Sequence, residues 1–478
     1  MSNSKTDNAA KIQSILSFLE ENCIQIVDIR FTDISGVWHH MSFPVSQVDK
    51  SLLKDGFCVD GSSIKGWSVI NDSDLLVLPD VAKDNPIRMD PYSSIATAFL
   101  FADTRNVRDG SLYNRDPRNI ARKAEQFLSQ CGFANKAYFG PEAEFFVFDS
   151  VAYTSEMTRS FYYLESDEFP QQSAVIQPNN HGSRSAVKGG YFPVQPMDPL
   201  NDFRSDVVQA LSLMGLVVER HHHEVAPAQH EIGFKYSTLV ECADNLQIFK
   251  YGVRNSARMY DKTATFMPKP VFGDNGSGMH VHMSLWNDDT ALFKGDAYAG
   301  LSDIALYAIG GVIKHAKSLN AFCNPTTNSY KRLVPGYEAP VICAYSASNR
   351  SAACRIPHVN SSNAKRFEAR FPDPTANGYL CFSALLMAAL DGIENKIHPG
   401  EAQVVDLFEC KEIASKLPTV CGSLEEALVA LTADHAYLLR GDVFDRDFID
   451  TYIEQKKIEV EDIRLRPHPQ EFVQYFNR

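Results

Sequence analysis

Charged and imidazole side chains alternate with apolar ones along four segments of this sequence. In GPEAEFFVF, Glu142 and Glu144 are two residues apart, and in GMHVHMS the same spacing separates His280 from His282. Residues two apart on a strand project from one face. ERHHHEV and RFEARF repeat the pattern with Glu, His and Arg. One face of a predicted sheet is therefore ionic. A surface exposed to water is the common explanation for any one pair, but four strands that carry Glu, His and Arg next to aromatic residues favour a channel lined with metal ligands.

The acidic members of this face favour one class of metal ion. The candidate ligands are five carboxylates and one imidazole: Glu142, Glu144, Glu224, Glu231, Glu368 and His280. A ligand set rich in oxygen suits Mg²⁺ or Mn²⁺, whereas zinc would require more His or Cys. Carboxylates are abundant in all proteins, so this set by itself only suggests a divalent-cation site.

Arginines are concentrated near the last of these segments. They are Arg332, Arg350, Arg355, Arg366 and Arg370. Most arginines form surface ion pairs, but five interleaved with apolar residues favour binding of carboxylate or phosphate. The motif GxxxxGK[ST] is missing and no GxGxxG follows a predicted strand, so a nucleotide would bind without a P-loop. The glycine-rich FGDNGSGMHVH could let backbone approach a ligand, although such a segment is more often a plain turn.

The elements that must hold these residues fall into two regions. Residues 1–110 predict a small α+β domain with a helix over 11–22, a hairpin after it, and strands over 74–79 and 94–101. Residues 111–478 begin with a helix over 117–131 whose N-cap is Asp116. The rest predicts strands over 137–149, 216–224, 279–285 and 366–371, and helices over 202–214, 239–261, 301–319 and 378–393.

Composition excludes several classes of protein. The chain has 478 residues and a net charge of −13, which argues against nucleic acid as a partner because phosphate binding needs clustered Lys and Arg. The ten cysteines are scattered without any CxxC, the first residues lack the apolar core of a signal peptide, and no apolar run is long enough to span a membrane. We therefore predict a cytoplasmic protein with reduced thiols and no membrane partner.

Four motifs closely resemble the bacterial type I glutamine synthetases. They are CVDGSSIKGW at residues 58–67, KTATFMPKPVFGDNGSGMHVHMS, NPTTNSYKRLVPGYEAP and the C-terminal RPHPQEF. The resemblance covers nearly the whole chain. It implies an ATP-dependent ligase that joins ammonium to glutamate through γ-glutamyl phosphate. It also implies an α+β fold, with a small N-terminal β-grasp-like domain and a large catalytic domain that has a curved, mainly antiparallel sheet and surrounding helices.

The resemblance further implies an assembly. Members of the family are homo-dodecamers of two hexameric rings, with active sites between neighbouring subunits. The N-terminal domain of one chain would bring Asp60, Ser63 and Trp67 to the neighbour's catalytic domain, and the C-terminal segment would reach into the opposite ring.

Roles follow from the resemblance residue by residue. It implies one Mg²⁺ or Mn²⁺ on Glu144, Glu224 and Glu231 and a second on Glu142, His280 and Glu368, so that each active site holds at least two ions. Glutamate is expected at Asn275, Gly276, Arg332 and Arg370, and the ammonium pocket at Asp60, Ser63 and Tyr191. ATP is expected at Glu219, His282, Ser284, Arg355 and Arg366. Arg350 would stabilise the transferring phosphoryl group, Asp60 would deprotonate ammonium, and Glu338 would close over the intermediate.

Asp60 has a second interpretation, since an Asp before Gly commonly forms an Asx-turn.

The chain also departs from many relatives at four places. Phe408, in DLFECKE, replaces a tyrosine that is adenylylated in many of them, so this control is predicted to be lost. Asn363 and Ser348 replace a Lys and an Arg, and the segment EVAPAQHE is one residue shorter than in some relatives. The alternatives are a γ-glutamyl ligase for an organic amine and an inactive homologue, although all six predicted metal ligands are retained.

Overall fold

The computed structural model describes residues 2–478 apart from 72, 84, 175, 177–179, 336, 338, 348 and 408. The strands are β1 (Ile26–Thr32), β2 (Trp38–Pro44), β3 (Phe57–Asp60), β4 (Asp74–Pro79), β5 (Ile87–Asp90), β6 (Thr97–Asn106), β7 (Lys136–Phe148), β8 (Ser150–Ser155), β9 (Ser160–Glu165), β10 (Val218–His223), β11 (Gln229–Phe234), β12 (Ser237–Thr238), β13 (Thr263–Thr265), β14 (Met279–Asn287), β15 (Thr290–Ala291), β16 (Ile342–Ala347), β17 (Ala352–Ile356) and β18 (Phe367–Ala369). The helices are α1 (Ser2–Glu21), α2 (Lys50–Asp55), α3 (Pro117–Gln130), α4 (Asn201–Leu213), α5 (Leu239–Met259), α6 (Asp303–Lys314), α7 (Ala316–Cys323), α8 (Ser329–Arg332), α9 (Gly378–Glu394), α10 (Lys411–Ala414), α11 (Leu424–Ala433), α12 (Arg446–Arg464) and α13 (Pro469–Tyr475).

The first part of the chain forms a mixed sheet that shares a core with α1 and α2. Its strand order is β2-β1-β6-β4-β3, and β5 pairs with β6. Strands β1 and β6 run parallel, whereas β1 and β2 form the predicted antiparallel hairpin. Ile12, Ile15 and Leu19 recur at helical spacing in α1 and are buried against Val27 and Leu100 of the sheet.

The second part is built on a long sheet with the order β10-β11-β7-β14-β18-β17-β16. Short strands extend it, since β12 and β13 pair with β7 and β15 pairs with β14. Of the paired strands that the structure describes in this sheet, β16 and β17 are parallel and the others antiparallel. The predicted α+β class with a mainly antiparallel sheet and surrounding helices is therefore confirmed.

Helix α9 lies at the centre of the core. Its residues from Gly378 to Gly392 are all buried. It packs closely on α6, because a Cβ atom at Gly311 would lie 2.0 Å from the Ala388 carbonyl oxygen and one at Gly392 would lie 2.1 Å from that of Tyr307. Only glycine permits two backbones to approach so closely. This packing fixes the layer of helices on which the long sheet rests.

Most predicted elements are found within a few residues of their predicted ends. Asp116 caps α3 as predicted, because its side chain accepts a hydrogen bond from the Arg118 N–H. The prediction of a single helix over 301–319 is wrong. The chain forms α6 and α7, which meet at His315. The His315 ring bonds to Asp391 at 2.9 Å and to Asp434 at 2.7 Å, so these contacts hold the residue that separates the two helices.

The two regions pack against each other where the loops on either side of β5 meet α5. Lys83 Nζ lies 2.6 Å from Glu241 Oε2, and the Tyr92 hydroxyl donates to the Gly252 carbonyl at 2.9 Å. The boundary at residue 110 stays a prediction. The expectation that Trp67 reaches a neighbouring subunit is wrong, because its side chain is 1% exposed and packs in the core of its own chain.

Candidate active site

Strand register brings the separate ionic segments onto one face of the long sheet. Glu231 on β11 lies opposite Glu144 on β7, and His280 on β14 lies opposite Glu142. Glu368 on β18 continues the row, next to β14. The alternate residues of β14, beginning with Met279, are buried on the opposite face. Alternation along each strand therefore turns the apolar residues toward the helices and collects the ionic ones at one surface.

These side chains line a cavity of about 500 Å³. Its lining includes twelve residues predicted to bind metal, glutamate or ammonium or to stabilise the phosphoryl group: Glu142, Glu144, Tyr191, Glu224, Glu231, Asn275, Gly276, His280, Arg332, Arg350, Glu368 and Arg370. Arg355 of the predicted ATP contacts also lines it. The cavity therefore combines carboxylates, imidazoles and guanidinium groups, which is the composition expected for a site that holds cations and anions together.

One end of the cavity holds Glu142, His280 and Glu368. His280 Nδ1 lies 3.6 Å from Glu142 Oε2 and 3.5 Å from Glu368 Oε1. His282, predicted as an ATP contact, places its Nε2 3.2 Å from Glu142 Oε1. Glu142, His282 and Glu368 offer ligand atoms within 4.8 Å of one another. The donor set at this end of the cavity therefore fits a divalent cation, with His282 as a further candidate ligand.

Neighbouring histidines favour the ionised form of these carboxylates. Burial alone would raise the pKa of Glu142, but hydrogen bonds with His280 and His282 hold it far below its usual range. Burial likewise opposes ionisation of Glu368, whose pKa is nevertheless lowered by the charges of the same two histidines. An ionised carboxylate is the form that binds a metal ion, so both groups are in the required state at neutral pH.

The other end of the cavity is more strongly acidic. His222, Glu224 and Glu231 offer ligand atoms within 4.8 Å of one another. The His222 ring lies 3.4 Å from Glu224 Oε1 and 3.5 Å from Glu231 Oε1. Sequence reasoning did not select His222 as a ligand, although its position two residues before Glu224 already put both on one face of a strand. Its proximity makes it a candidate ligand beside the two carboxylates.

Glu144 completes this acidic end. Its Oε2 accepts hydrogen bonds from the Gly278 N–H at 3.0 Å and from the Gln229 amide at 2.8 Å. Burial, together with the charges of Glu224 and Glu231, raises the pKa of Glu144 well above its usual value. A divalent cation among the three carboxylates would relieve this repulsion, so the residues fit a metal ion here as well.

The residues predicted for glutamate lie along one wall of the cavity. The buried Arg332 guanidinium donates to the carbonyl oxygens of Phe371 at 3.0 Å and Pro372 at 3.2 Å. Gly276 is tightly enclosed, because a Cβ atom there would lie 2.4 Å from the Pro268 carbonyl oxygen. These contacts hold the wall in one conformation, with its guanidinium fixed by backbone acceptors.

Most of the residues predicted to contact ATP do not line the cavity that the structure describes. Arg355 Nη1 lies 2.8 Å from Glu368 Oε2, and Arg366 Nε donates to His282 Nδ1 at 3.1 Å. Ser284 accepts a hydrogen bond from the Trp286 indole at 3.1 Å. Glu219 is exposed on β10. Glu219, His282, Ser284 and Arg366 are not among the lining of the cavity that the structure describes.

Asp60 and Ser63 lie in the N-terminal region and are not among the described lining of the cavity in their own chain. Asp60 accepts hydrogen bonds from the Ser62 N–H at 2.9 Å and the Ser63 hydroxyl at 3.0 Å. Bonds from Ser62 hold the pKa of Asp60 below its usual range. The turn interpretation of Asp60 is thus correct as geometry, and the residue is exposed in its own chain.

Three further residues that the sequence singled out, Glu338, Phe408 and Ser348, lie outside the described residues. Asn363 is exposed in a short helical turn.

Two residues that sequence reasoning did not select also belong to the site. Arg220 Nη2 lies 2.9 Å from Glu142 Oε1, and Gln229 bridges Glu144 to the Gly276 carbonyl. An arginine or a glutamine does not by itself indicate a functional residue. These two are recognised as site residues only from the positions that β10 and β11 take in the sheet.

Comparison with known proteins gives one consistent result. The chain matches the family model for the glutamine synthetase catalytic domain over residues 114–475 and that for the glutamine synthetase β-grasp domain over 23–106. It is 52% identical to the glutamine synthetase of Azorhizobium caulinodans, over 97% of this chain and 99% of the relative. It is 51% identical to that of Salmonella typhimurium, over 97% of this chain and 99% of the relative.

Solved structures agree. The cryo-EM structure of Plasmodium falciparum glutamine synthetase matches with a TM-score of 0.88 and 29% identity, over 97% of this chain and 98% of that one. A GmaS–ADP complex matches with a TM-score of 0.81 and 28% identity, over 97% and 99% of the two chains.

Among the described residues, every helix is too short or too polar to cross a membrane.

Proposed function

This chain belongs to the glutamine synthetase family, and on that premise we propose that its cavity joins ammonia to the γ-carboxylate of glutamate with cleavage of ATP. The observation that carries the proposal is the meeting of two acidic ligand groups and several arginines in one cavity. Neither an isolated metal site nor an isolated anion site needs both. Transfer of a phosphoryl group between two anions needs both, because negative charges must be brought together.

The reaction proceeds in two steps. A γ-carboxylate oxygen of glutamate attacks the γ-phosphorus of ATP, the bond to the bridging oxygen breaks, and ADP leaves. The product, γ-glutamyl phosphate, has a good leaving group where the carboxylate had none. Ammonia then attacks the carbonyl carbon and phosphate departs, which gives glutamine.

The chain's own residues position and neutralise these groups. Arg332, with Asn275 and Gly276, holds glutamate along one wall. Arg350 and Arg355 neutralise the phosphate oxygens. Two or more divalent cations, Mg²⁺ or Mn²⁺, held by the acidic groups at the two ends, supply electrostatic stabilisation of the phosphoryl oxygens when bound.

Ammonium must lose a proton before it can attack. We assign this step to Asp60 of an adjacent subunit, since Asp60 is exposed in its own chain and its carboxylate is kept ionised by Ser62. Tyr191 and Ser63 complete the ammonium pocket, and Glu338 closes it. The assignment requires an oligomer, for which we propose two stacked hexameric rings.

The ten free cysteines support a reducing cytoplasm as the location of the protein.

The function is tested by phosphate release from ATP and Mg²⁺ in the presence of glutamate, with ammonium compared against a panel of organic amines. We expect release with ammonium and little with the amines. Turnover only with an organic amine would make the chain a γ-glutamyl ligase for that amine. Absence of turnover with every acceptor, in an oligomer that binds ATP, would identify an inactive homologue.

Divalent cations are expected to stabilise the protein. A cation that binds the folded state at a hundredfold excess over its Kd adds about 2.7 kcal/mol to the free energy of unfolding. Thermal unfolding with and without Mg²⁺ or Mn²⁺ measures the effect, which Glu231→Gln should reduce, because it takes one charge from the acidic end and leaves the ligands at the other end intact. Glu165→Gln on β9, which contributes no residue to the described lining of the cavity, should retain it. An unfolding temperature that is insensitive to both cations would contradict the proposed metal sites.

Adenylylation is expected to leave this enzyme unchanged, because Phe408 has no hydroxyl to accept the nucleotide. Mass spectrometry after incubation with a bacterial adenylyltransferase and ATP should find no added AMP on the peptide that contains residue 408. The variant Phe408→Tyr is the matched control, since it restores an acceptor. Covalent AMP on the unchanged peptide would refute the prediction.

A further inference from the structure

One side chain, that of Asn328, joins two separate segments of the cavity wall. Asn328 Oδ1 accepts a hydrogen bond from the Lys269 N–H at 2.8 Å, and its Nδ2 donates to the Lys269 carbonyl at 3.0 Å. Asn328 immediately precedes α8, which carries Arg332, and Lys269 begins the loop that leads to Asn275. An amide that pairs with both polar groups of one residue imitates the pairing of adjacent strands. It therefore fixes both the separation and the orientation of the two segments.

The loop that follows Lys269 is closed on itself. The Ser277 N–H donates to the Pro268 carbonyl at 2.8 Å, and the Lys269 ammonium group donates to the Asp274 carbonyl. Asp274 in turn accepts from the Asn275 N–H at 2.8 Å. Because these bonds link the ends and the middle of the loop, the position of the Lys269 backbone sets the position of Asn275.

The other segment has equally little freedom. Arg332 is bonded to backbone carbonyls on one side and packs against the loop on the other. A Cβ atom at Gly278 would lie 2.5 Å from Arg332 Nη2, and one at Gly276 would lie 3.2 Å from Arg332 Cγ. The loop and the arginine are therefore in direct contact, and a shift of either is transmitted to the other.

We propose that Asn328 is a positioning residue for the glutamate subsite, holding Asn275 and Gly276 at a fixed distance from Arg332. The inference rests on the proposed function, because it assigns these three residues to glutamate. The nucleotide side is held by other contacts, such as the ion pair of Arg355 with Glu368. Loss of Asn328 should therefore weaken binding of glutamate and spare binding of ATP, a distinction that general destabilisation of the fold does not produce.

The test measures KM for glutamate and for ATP in Asn328→Ala, with the full-length oligomer. Two bridging hydrogen bonds are lost, so we expect KM for glutamate to rise about tenfold or more, and KM for ATP to change by less than about twofold. Asn395→Ala is the matched control. It removes an amide that donates to the Asp391 carbonyl at 3.1 Å, at the end of α9, and both constants should stay at the wild-type values.

Asn328→Asp provides a second variant of nearly the same shape. It keeps the acceptor for the Lys269 N–H but sets a carboxylate oxygen against the Lys269 carbonyl, so KM for glutamate should rise here as well, even if Asn328→Ala fails to fold. Unchanged KM for glutamate in these variants, or equal increases in both constants, would overturn the proposal. Failure of the proposed function looks different, because the wild-type protein itself would then form no glutamine.

Discussion

Replacing Arg350 with alanine is expected to lower kcat by about 10³-fold, the order found when an arginine that stabilises a transferring phosphoryl group is removed. Arg350 lines the cavity and is exposed to solvent, and its side chain bonds to that of Tyr191. A guanidinium group at this position can follow the phosphate oxygens as charge develops on them. The side chain is exposed, so the variant should fold normally.

Steady-state kinetics with glutamate, ammonium and ATP measure this effect. Arg350→Lys keeps the charge but loses the forked geometry, so it should recover only part of the lost rate. Arg159→Ala is the control, because Arg159 is exposed on the hairpin of β8 and β9, away from the cavity lining. A kcat of Arg350→Ala within a few-fold of wild type, in a protein of unchanged unfolding temperature, would remove Arg350 from the mechanism.

Asp60→Ala is expected to lower ammonium-dependent turnover by about 10²- to 10⁴-fold, the range for loss of a general base. Its matched control is Asp109→Ala. Asp109 makes the same kind of turn, accepting from the Ser111 N–H at 2.9 Å, but has no predicted part in the reaction. If Asp60 were only a turn-forming residue, the two variants would have similar activity.

Mixed oligomers test whether the site is shared between chains. A chain with Asp60→Ala supplies an intact Arg350, and a chain with Arg350→Ala supplies an intact Asp60. Dissociation, mixing and reassembly of the two inactive variants should restore about a quarter of wild-type activity, because random pairing unites the intact residues at that fraction of the interfaces. Mixtures no more active than their parents would place Asp60 and Arg350 in one chain's site, contrary to the proposal.

The sequence predicted the regular elements well where periodicity was strong. The strand predicted over 137–149 is β7, and the helix predicted over 378–393 is α9. The break between α6 and α7 could not be predicted, because the pattern of apolar residues continues through it. It depends on bonds from His315 to residues far along the chain. Contacts of that kind override local pattern.

The candidate site could be predicted only in part for a similar reason. Alternation identified the ionic faces and favoured a channel over an exposed surface, but it could not tell which ionic residues lie opposite one another. The register of the strands supplied this pairing, since it set Glu231 opposite Glu144 and His280 opposite Glu142. The pairing of β10, β11 and β7 also places His222 and Gln229 at the site. The role of Trp67 was mistaken because an aromatic residue beside a functional motif has no sequence feature that separates an interface from a core.

The most direct test of the central claim follows oxygen atoms. Glutamate labelled with ¹⁸O in its γ-carboxylate is incubated with the protein, ATP, Mg²⁺ and ammonium, and the released phosphate is examined by mass spectrometry. Attack of the carboxylate on the γ-phosphorus transfers one carboxylate oxygen to phosphate, so we predict one ¹⁸O in each phosphate and an equal amount of glutamine. Unlabelled phosphate, released without glutamine, would mean that water is the acceptor and would contradict the acyl phosphate on which the proposal depends.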